Sequence, residues 1–264
     1  MAERFCLVTT FYPPYHFGGD AIHAYRLANA LARRGCEVTV VHSEDAYRAL
    51  GGAEPTGAFP HEPGVRLEPL RTTIPKVAAT LSYVSGRPAL YAAQLERILL
   101  PGRFDVVHFH NVSLTGGPGV LGLGDGVKLY TTSEHWLVCP MHVLFRQNRE
   151  PCVEPHCLRC TLAFGRPPQL WRYTGLLERE ARHVDLFLAP SRFTLRAHRE
   201  TLGDDALYFP PRDAAMLAGL VQRLLGSDML RRSLAERGHR RVQRYTWHAA
   251  AEALRALVHE AARG

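Results

Sequence analysis

The chain has 264 residues, a net formal charge of +7, 46% hydrophobic residues and six cysteines. These figures suit a soluble globular protein and exclude a disordered chain, a collagen-like chain and a disulfide-dense miniprotein. No run of about 18 apolar residues exists, and the start Met1-Ala2-Glu3-Arg4 holds no long apolar signal core, so no spanning helix is expected and a cytoplasmic location is the default.

Thirty of the thirty-two basic residues are arginine, the exceptions being Lys76 and Lys128. Arginine binds phosphate and carboxylate bidentately, which fits an anionic partner. The plainer reading is codon bias in a GC-rich genome, and it is preferred. No basic run is interleaved with aromatics as a nucleic-acid groove needs, so no nucleic-acid partner is expected.

In chain order, RFCLVTT (4–10) reads as a buried parallel strand. The loop FYPPYHFGGD follows, with Asp20 as the expected cap of the helix AIHAYRLANALARRG. Ile22, Tyr25, Ala28 and Leu31 share one helical face, and Gly35 sits where a C-terminal cap belongs. CEVTVVH (36–42) is a second buried strand, which opens a doubly wound sheet.

Residues 43–64 read as a Gly/Pro-rich connection and 65–70 as a third strand. Residues 75–100 are helical with a break near Gly86-Arg87-Pro88, and strands follow at 104–111 and 126–132. Residues 133–168 are irregular and cysteine-rich, 170–184 an amphipathic helix, 185–191 a strand and 192–201 a helix start. About six parallel strands alternate with helices. The tail differs. It holds one strand-like fragment (206–211), a helix capped by Asp213, and helices at 227–244 and 247–262. Such elements cannot build a sheet and need a partner surface.

Four stretches carry a resemblance: FYPPYHFGG (11–19), the first helix with VTVVH, DVVHFHN (105–111) and LAPSRFT (188–194). They resemble the first, Rossmann-like domain of a GT-B glycosyltransferase of family 4. The tail, from ALYFPPRDAAM to the Tyr245-Thr246-Trp247 break, resembles the closing segment of that family's second domain. The resemblance implies residues 1–203 as the acceptor-side domain, with the cysteine-rich insert at about 133–168. It implies residues 204–264 as a mostly helical remnant of the donor domain. Between Thr201 and Ala206 the family carries most of its second domain, including the basic residues on the donor diphosphate and a pair of glutamates seven residues apart. Their absence implies an internal deletion around Leu202-Gly203-Asp204, of about 130 residues for an ordinary domain.

Several residues are singled out as candidates. Gly18-Gly19 lies between a strand and a helix N-terminus, where backbone can approach an anion. The resemblance puts that loop under the donor diphosphate and near the acceptor; the other reading is a plain turn. Glu134-His135 follows a strand at the carboxyl edge, where an acceptor hydroxyl could be oriented or deprotonated. The resemblance favours His135, although the family's commoner pattern places His-Asp where this chain has Ser133-Glu134. His108 and His110 alternate with Phe109 and share a strand face, which suits cleft lining more than metal.

Cys139, Cys152, Cys157 and Cys160 have the spacing C-x12-C-x4-C-x2-C. In a cytosolic protein that suggests a structural zinc site ahead of an iron–sulfur cluster, with free or redox-paired thiols as the plain alternative. His142 and His156 stand near enough in sequence to replace a ligand, while Cys6 and Cys36 read as small core residues. Residues 166–184 combine Arg, Trp and Tyr with an amphipathic helix. A peripheral contact with an anionic membrane surface or a lipid-linked acceptor is one reading, and a helix packed on the sheet is the preferred one.

The resemblance implies transfer of a sugar from a nucleotide sugar to a glycan or lipid-linked acceptor, with retention and without a catalytic metal. It also implies that this chain is impaired. The alternatives are a non-catalytic acceptor-binding module that pairs with a separate donor-domain chain, and, more weakly, a zinc-stabilised nucleic-acid binder.

Overall fold

Six of the apolar runs pair side by side in parallel. The computed structural model describes residues 3–147, 149–189 and 214–242. The strands are β1 (Arg4–Val8), β2 (Glu37–Ser43), β3 (Val65–Leu70), β4 (Val106–Phe109), β5 (Val127–Thr131) and β8 (Leu186–Leu188). Their order is β3-β2-β1-β4-β5-β8, with registers such as Phe5 opposite both Val38 and Val106. This is the doubly wound Rossmann-like order, in which strands are added outward on one side of β1 up to β3 and then on the other side from β4. β3 is an edge strand, which is why it tolerates Pro69.

Alternation along each strand loads the two faces differently. Cys6, Val8, Val107, Phe109, Tyr130 and Phe187 point to one side. There they meet α3 (Pro75–Ser85), α4 (Ala92–Ile98) and α6 (Leu176–Ala181). Phe5, Leu7, Val106, Leu129, Leu186 and Leu188 point to the other, toward α1 (Gly19–Ala32). α1 turns Ala21, Ala24 and Ala28 fully inward, while Ile22, Tyr25 and Leu31 are only partly buried. The buried face is thus rotated from the expected one. Small side chains let the helix lie close to a sheet already filled by β-branched residues.

Three local expectations are corrected. Gly18, not Asp20, is the N-cap of α1, and Asp20 sits in the first turn. The connection after β2 contains a helix, α2 (Glu44–Ala49), capped by Ser43, whose hydroxyl accepts from the Ala46 N–H at 3.0 Å. The expected helix over 170–184 is a 3-10 turn (Leu170–Tyr173) followed by α6, because Gly175 at φ 67° interrupts it. Trp171, Leu176 and Leu177 all turn into the core, so this segment packs on the sheet side.

The cysteine-rich stretch forms a miniature hairpin, β6 (Phe145–Arg146) with β7 (Glu150–Pro151), and α5 (Cys157–Ala163). The tail gives α7 (Ala214–Leu225) and α8 (Asp228–Val242). α7 presents Leu217, Leu220, Val221 and Leu224, an i, i+3, i+4, i+7 stripe. That stripe joins Leu234 of α8 and the α1 side of the sheet in one cluster. The partner surface the tail needs is therefore the first sheet itself. The Arg182 guanidinium after α6 also donates to His239 Nδ1 of α8 at 3.0 Å. The expected helix 192–201, strand 206–211, Asp213 cap, helix 247–262 and junction at Leu202-Gly203-Asp204 lie outside the described residues.

One packing contact leaves no tolerance. Gly117 has φ 57°, and a Cβ there would stand 2.6 Å from the backbone of Gly86, whose carbonyl accepts from the Gly119 N–H at 2.9 Å. Gly117→Ala combines a left-handed alanine with a backbone clash and is expected to cost about 3 kcal/mol. A urea midpoint equal to that of the parent chain would refute this.

Candidate functional site

The strand order changes course between β1 and β4, and in doubly wound sheets ligands bind outside the carboxyl ends of the strands at such a switch point. The two strand ends are tied together: Thr10 Oγ1 donates to Asn111 Oδ1 at 3.3 Å, and the Ser113 N–H donates to the same oxygen at 3.0 Å. Asn111 thus spends its side chain on a local turn that links the two strand ends.

The loop 11–18 rises from β1 on an aromatic scaffold. Tyr12 and Tyr15 exchange backbone hydrogen bonds of 3.1 and 2.8 Å. Phe17 stacks on Tyr47 at 4.7 Å and meets Phe11 edge-on at 5.2 Å. The loop delivers Gly18 and Gly19, both exposed, to the start of α1. No side chain caps that helix start. A Cβ on Gly19 would meet nothing within 4 Å, so the protein's own packing does not demand a glycine there. Asp20 already places a carboxylate in the first turn.

Under α1 lies a stack of histidines. His108 and His110 ring centroids are 4.3 Å apart, and His23 of α1 is 5.7 Å from His110. His108 Nε2 shares a 2.7 Å hydrogen bond with Thr131 Oγ1. Burial holds His108 neutral, its pKa down to about 3. Burial first, then the neighbouring His108 and His23, pushes His110 well below the ordinary imidazole value. His110 is fully buried, and neither ring nitrogen has a hydrogen-bond partner among the described residues. A buried imidazole with both nitrogens unused is uncommon, because each unmade bond costs about 1–3 kcal/mol. A neutral ring at a switch point can donate to, or accept from, a hydroxyl-rich ligand.

The loop after β5 carries Glu134 and His135. The Glu134 carboxylate pairs with His142 Nδ1 across the loop. The His135 carbonyl accepts from the Val138 and Cys139 N–H groups at 3.0 and 2.7 Å, which closes a tight turn. Burial lowers the His135 pKa, and Glu134 opposes the shift. The next residues, Trp136 and Leu137, sink into the cluster on the α3/α6 side. The Glu134–His142 loop is thereby anchored on one face of the sheet, and the His108–His110 stack on the other. Both reach the same carboxyl edge.

Arg172 anchors this loop, and sequence reasoning did not single it out. Its guanidinium donates to the carbonyls of Trp136 at 2.6 Å and Leu137 at 2.9 Å and to Gln169 Oε1 at 2.6 Å. It also faces the rings of Trp171 and Trp136 at 4.6 and 5.3 Å. Burial brings its pKa down to about 10, which leaves it charged at neutral pH. The only sequence signal was the juxtaposition Trp171-Arg172, and nothing in spacing says that an arginine there turns inward.

Cys139, Cys152, Cys157 and Cys160 line one pocket together with His156. None is in a disulfide. The Cys157 thiol is pushed up by burial and by Cys139, Cys152 and Cys160, and Arg172 opposes the rise. Among the described residues no group of three or more His, Cys, Asp or Glu side chains has the geometry to hold a metal ion. Cys6 is a buried core residue of β1, as expected, whereas Cys36 precedes β2 and is half-buried. No described helix is long and apolar enough to cross a membrane.

No match is found among curated proteins. The family model described as Glycosyltransferase Family 4 matches residues 17–208, a span from the glycine loop through every helix and strand of the sheet after β1. That span is well over half of the chain, and the chain belongs to glycosyltransferase family 4.

Proposed function

We propose that the chain is the acceptor-side part of a sugar transferase that moves a glycosyl group from a nucleotide sugar to a hydroxyl acceptor with retention of configuration. One observation in this family member carries the reading: His110 is fully buried at the switch point with neither ring nitrogen bonded. In this reading His110, fully buried as the chain stands, is uncovered to line the cleft when ligand binds and satisfies its nitrogens on ligand hydroxyls. The Gly18-Gly19 backbone faces the donor diphosphate, with Asp20 limiting how much negative charge the helix start accepts. His135 orients the acceptor hydroxyl or takes its proton, and Glu134, engaged by His142, holds the loop in place. The acceptor is a glycan or a lipid-linked sugar in polysaccharide assembly, met at the inner face of a membrane.

Residues 1–203 form the acceptor-side domain in this reading, and 204–264 are the closing helices of a donor domain interrupted between Thr201 and Ala206. The groups that would stabilise the leaving diphosphate are then missing. The expected result of an assay with a panel of nucleotide sugars is no turnover above background. Clear turnover by this chain alone overturns the interruption. The second reading is a binding module that works with a separate donor-domain chain. It is favoured by the single Rossmann-like sheet among the described residues. Turnover that appears only when such a chain is added supports it.

A further inference from the structure

Residues 139–170 contribute nothing to the three hydrophobic clusters of the described structure. The segment nevertheless has defined secondary structure. Its hairpin consists of two-residue strands, and its helix α5 has seven residues. Neither element is stable on its own. The apolar side chains Val143, Phe145, Val153, Leu158 and Leu162 point outward. Three non-glycine residues, His142, Leu144 and Gln147, hold left-handed backbone, each at a cost of about 1–2 kcal/mol. A segment so built needs a staple other than a core.

The four thiols line one pocket and have the chemistry to supply one. Cys139 lies in the turn after β5, its N–H bonded to the His135 carbonyl. Cys152 follows β7, its N–H bonded to the Leu144 carbonyl at 2.9 Å. Cys157 and Cys160 occupy the first turn of α5, where residues three apart share a face. These three separate pieces of chain meet at one pocket. Arg172, half-buried, stands near it as a cation that acts on the Cys157 thiol.

We propose that Cys139, Cys152, Cys157 and Cys160 bind one zinc ion, which clasps the hairpin and α5 to the Glu134–His142 loop. Binding replaces four S–H bonds by four Zn–S bonds. Four protons leave to solvent, no electrons move, and a tetrahedral centre of charge −2 results. Arg172 offsets part of that charge. The four side chains must rotate onto the ion, since as they stand no metal-holding group is formed among the described residues. Four protein ligands leave no open position, so the ion has no catalytic role. It fixes the backbone turn at His135–Cys139 and so the posture of the loop. The inference stands apart from the transfer reaction, and its test reads metal rather than turnover.

The full chain is purified in zinc-supplemented medium without chelator, and metal and thiols are counted. About one zinc per chain is expected. A mercurial that titrates the thiols should release it. C157S/C160S should bind less than a tenth of that amount, and C36S should keep all of it. Should the double variant not fold, cobalt decides on the parent chain: a tetrahedral thiolate site gives intense sulfur-to-cobalt charge-transfer bands. Zinc below about a fifth of an equivalent, iron with acid-labile sulfide, zinc retained by C157S/C160S, or cobalt without thiolate bands each overturns the proposal.

Discussion

Acidification from pH 7 to about pH 5 is expected to destabilise this chain by about 6 kcal/mol. Three imidazoles are buried neutral: His42, whose pKa burial brings down to about 4, His108 at about 3, and His110 well below 6.5. In the unfolded chain each takes a proton below about pH 6.5. The unfolded state then binds more protons than the folded one, so stability is complete above that pH and falls as pH drops toward the folded values. Each group contributes about 1.4 kcal/mol per pH unit across that window, so the three together contribute about 4. Between about pH 6.5 and pH 5 the loss is about 6 kcal/mol, which consumes a domain at the low end of the ordinary range of about 5–15 kcal/mol and weakens any other. Urea midpoints followed by circular dichroism at several pH values give the slope directly, and a flat profile between pH 7 and 5 would sink the expectation. His42→Phe should remove about a third of the slope. Its Nδ1 has no hydrogen-bond partner among the described residues, and its ring already lies against Tyr12 and Tyr15.

Arg172→Ala is expected to cost about 4 kcal/mol. The change strips the carbonyls of Trp136 and Leu137 of their donor and removes the cation that lies against both indoles. Each orphaned acceptor costs about 1–3 kcal/mol, and loss of the desolvated cation–π contacts adds about 1–2. Arg172→Lys should fall between, because one ammonium cannot reproduce the planar fork. The near-ultraviolet dichroism of Trp136 and Trp171 should change in both variants. A cost under 1 kcal/mol for the alanine variant would show that the loop is held by something else.

The sheet was legible in the sequence because its strands are buried on both faces and read as short apolar runs. RFCLV and EVTVV are examples, and both pair as expected. The helix break at Gly86 was legible for a similar reason: glycine there adopts φ 67°. α2 was missed because six residues carry little periodicity, although Ser43 before Glu44-Asp45 is a capping signature. The rotation of α1 onto its alanines was missed because periodicity ranks large apolar residues first, whereas close packing against a full sheet selects small ones. At the site, spacing alone foretold that His108 and His110 share a face, and their ring centroids lie 4.3 Å apart. Spacing gave no hint that Glu134 pairs with His142 or that Arg172 packs against two tryptophans. Those contacts join segments that only the folded chain brings together, 8 residues apart in one case and 36 in the other.

The closure of the α1 side by the tail sets an order of events in synthesis. Leu186 and Leu188 complete the sheet, yet Val221, Leu224 and Leu234, which share their cluster, leave the ribosome later. For that interval the described side chains that close over the newest strand are still missing from the nascent chain. Chaperone dependence should therefore rise steeply in chains that stop between β8 and α7, even though every strand of the sheet is already present in them.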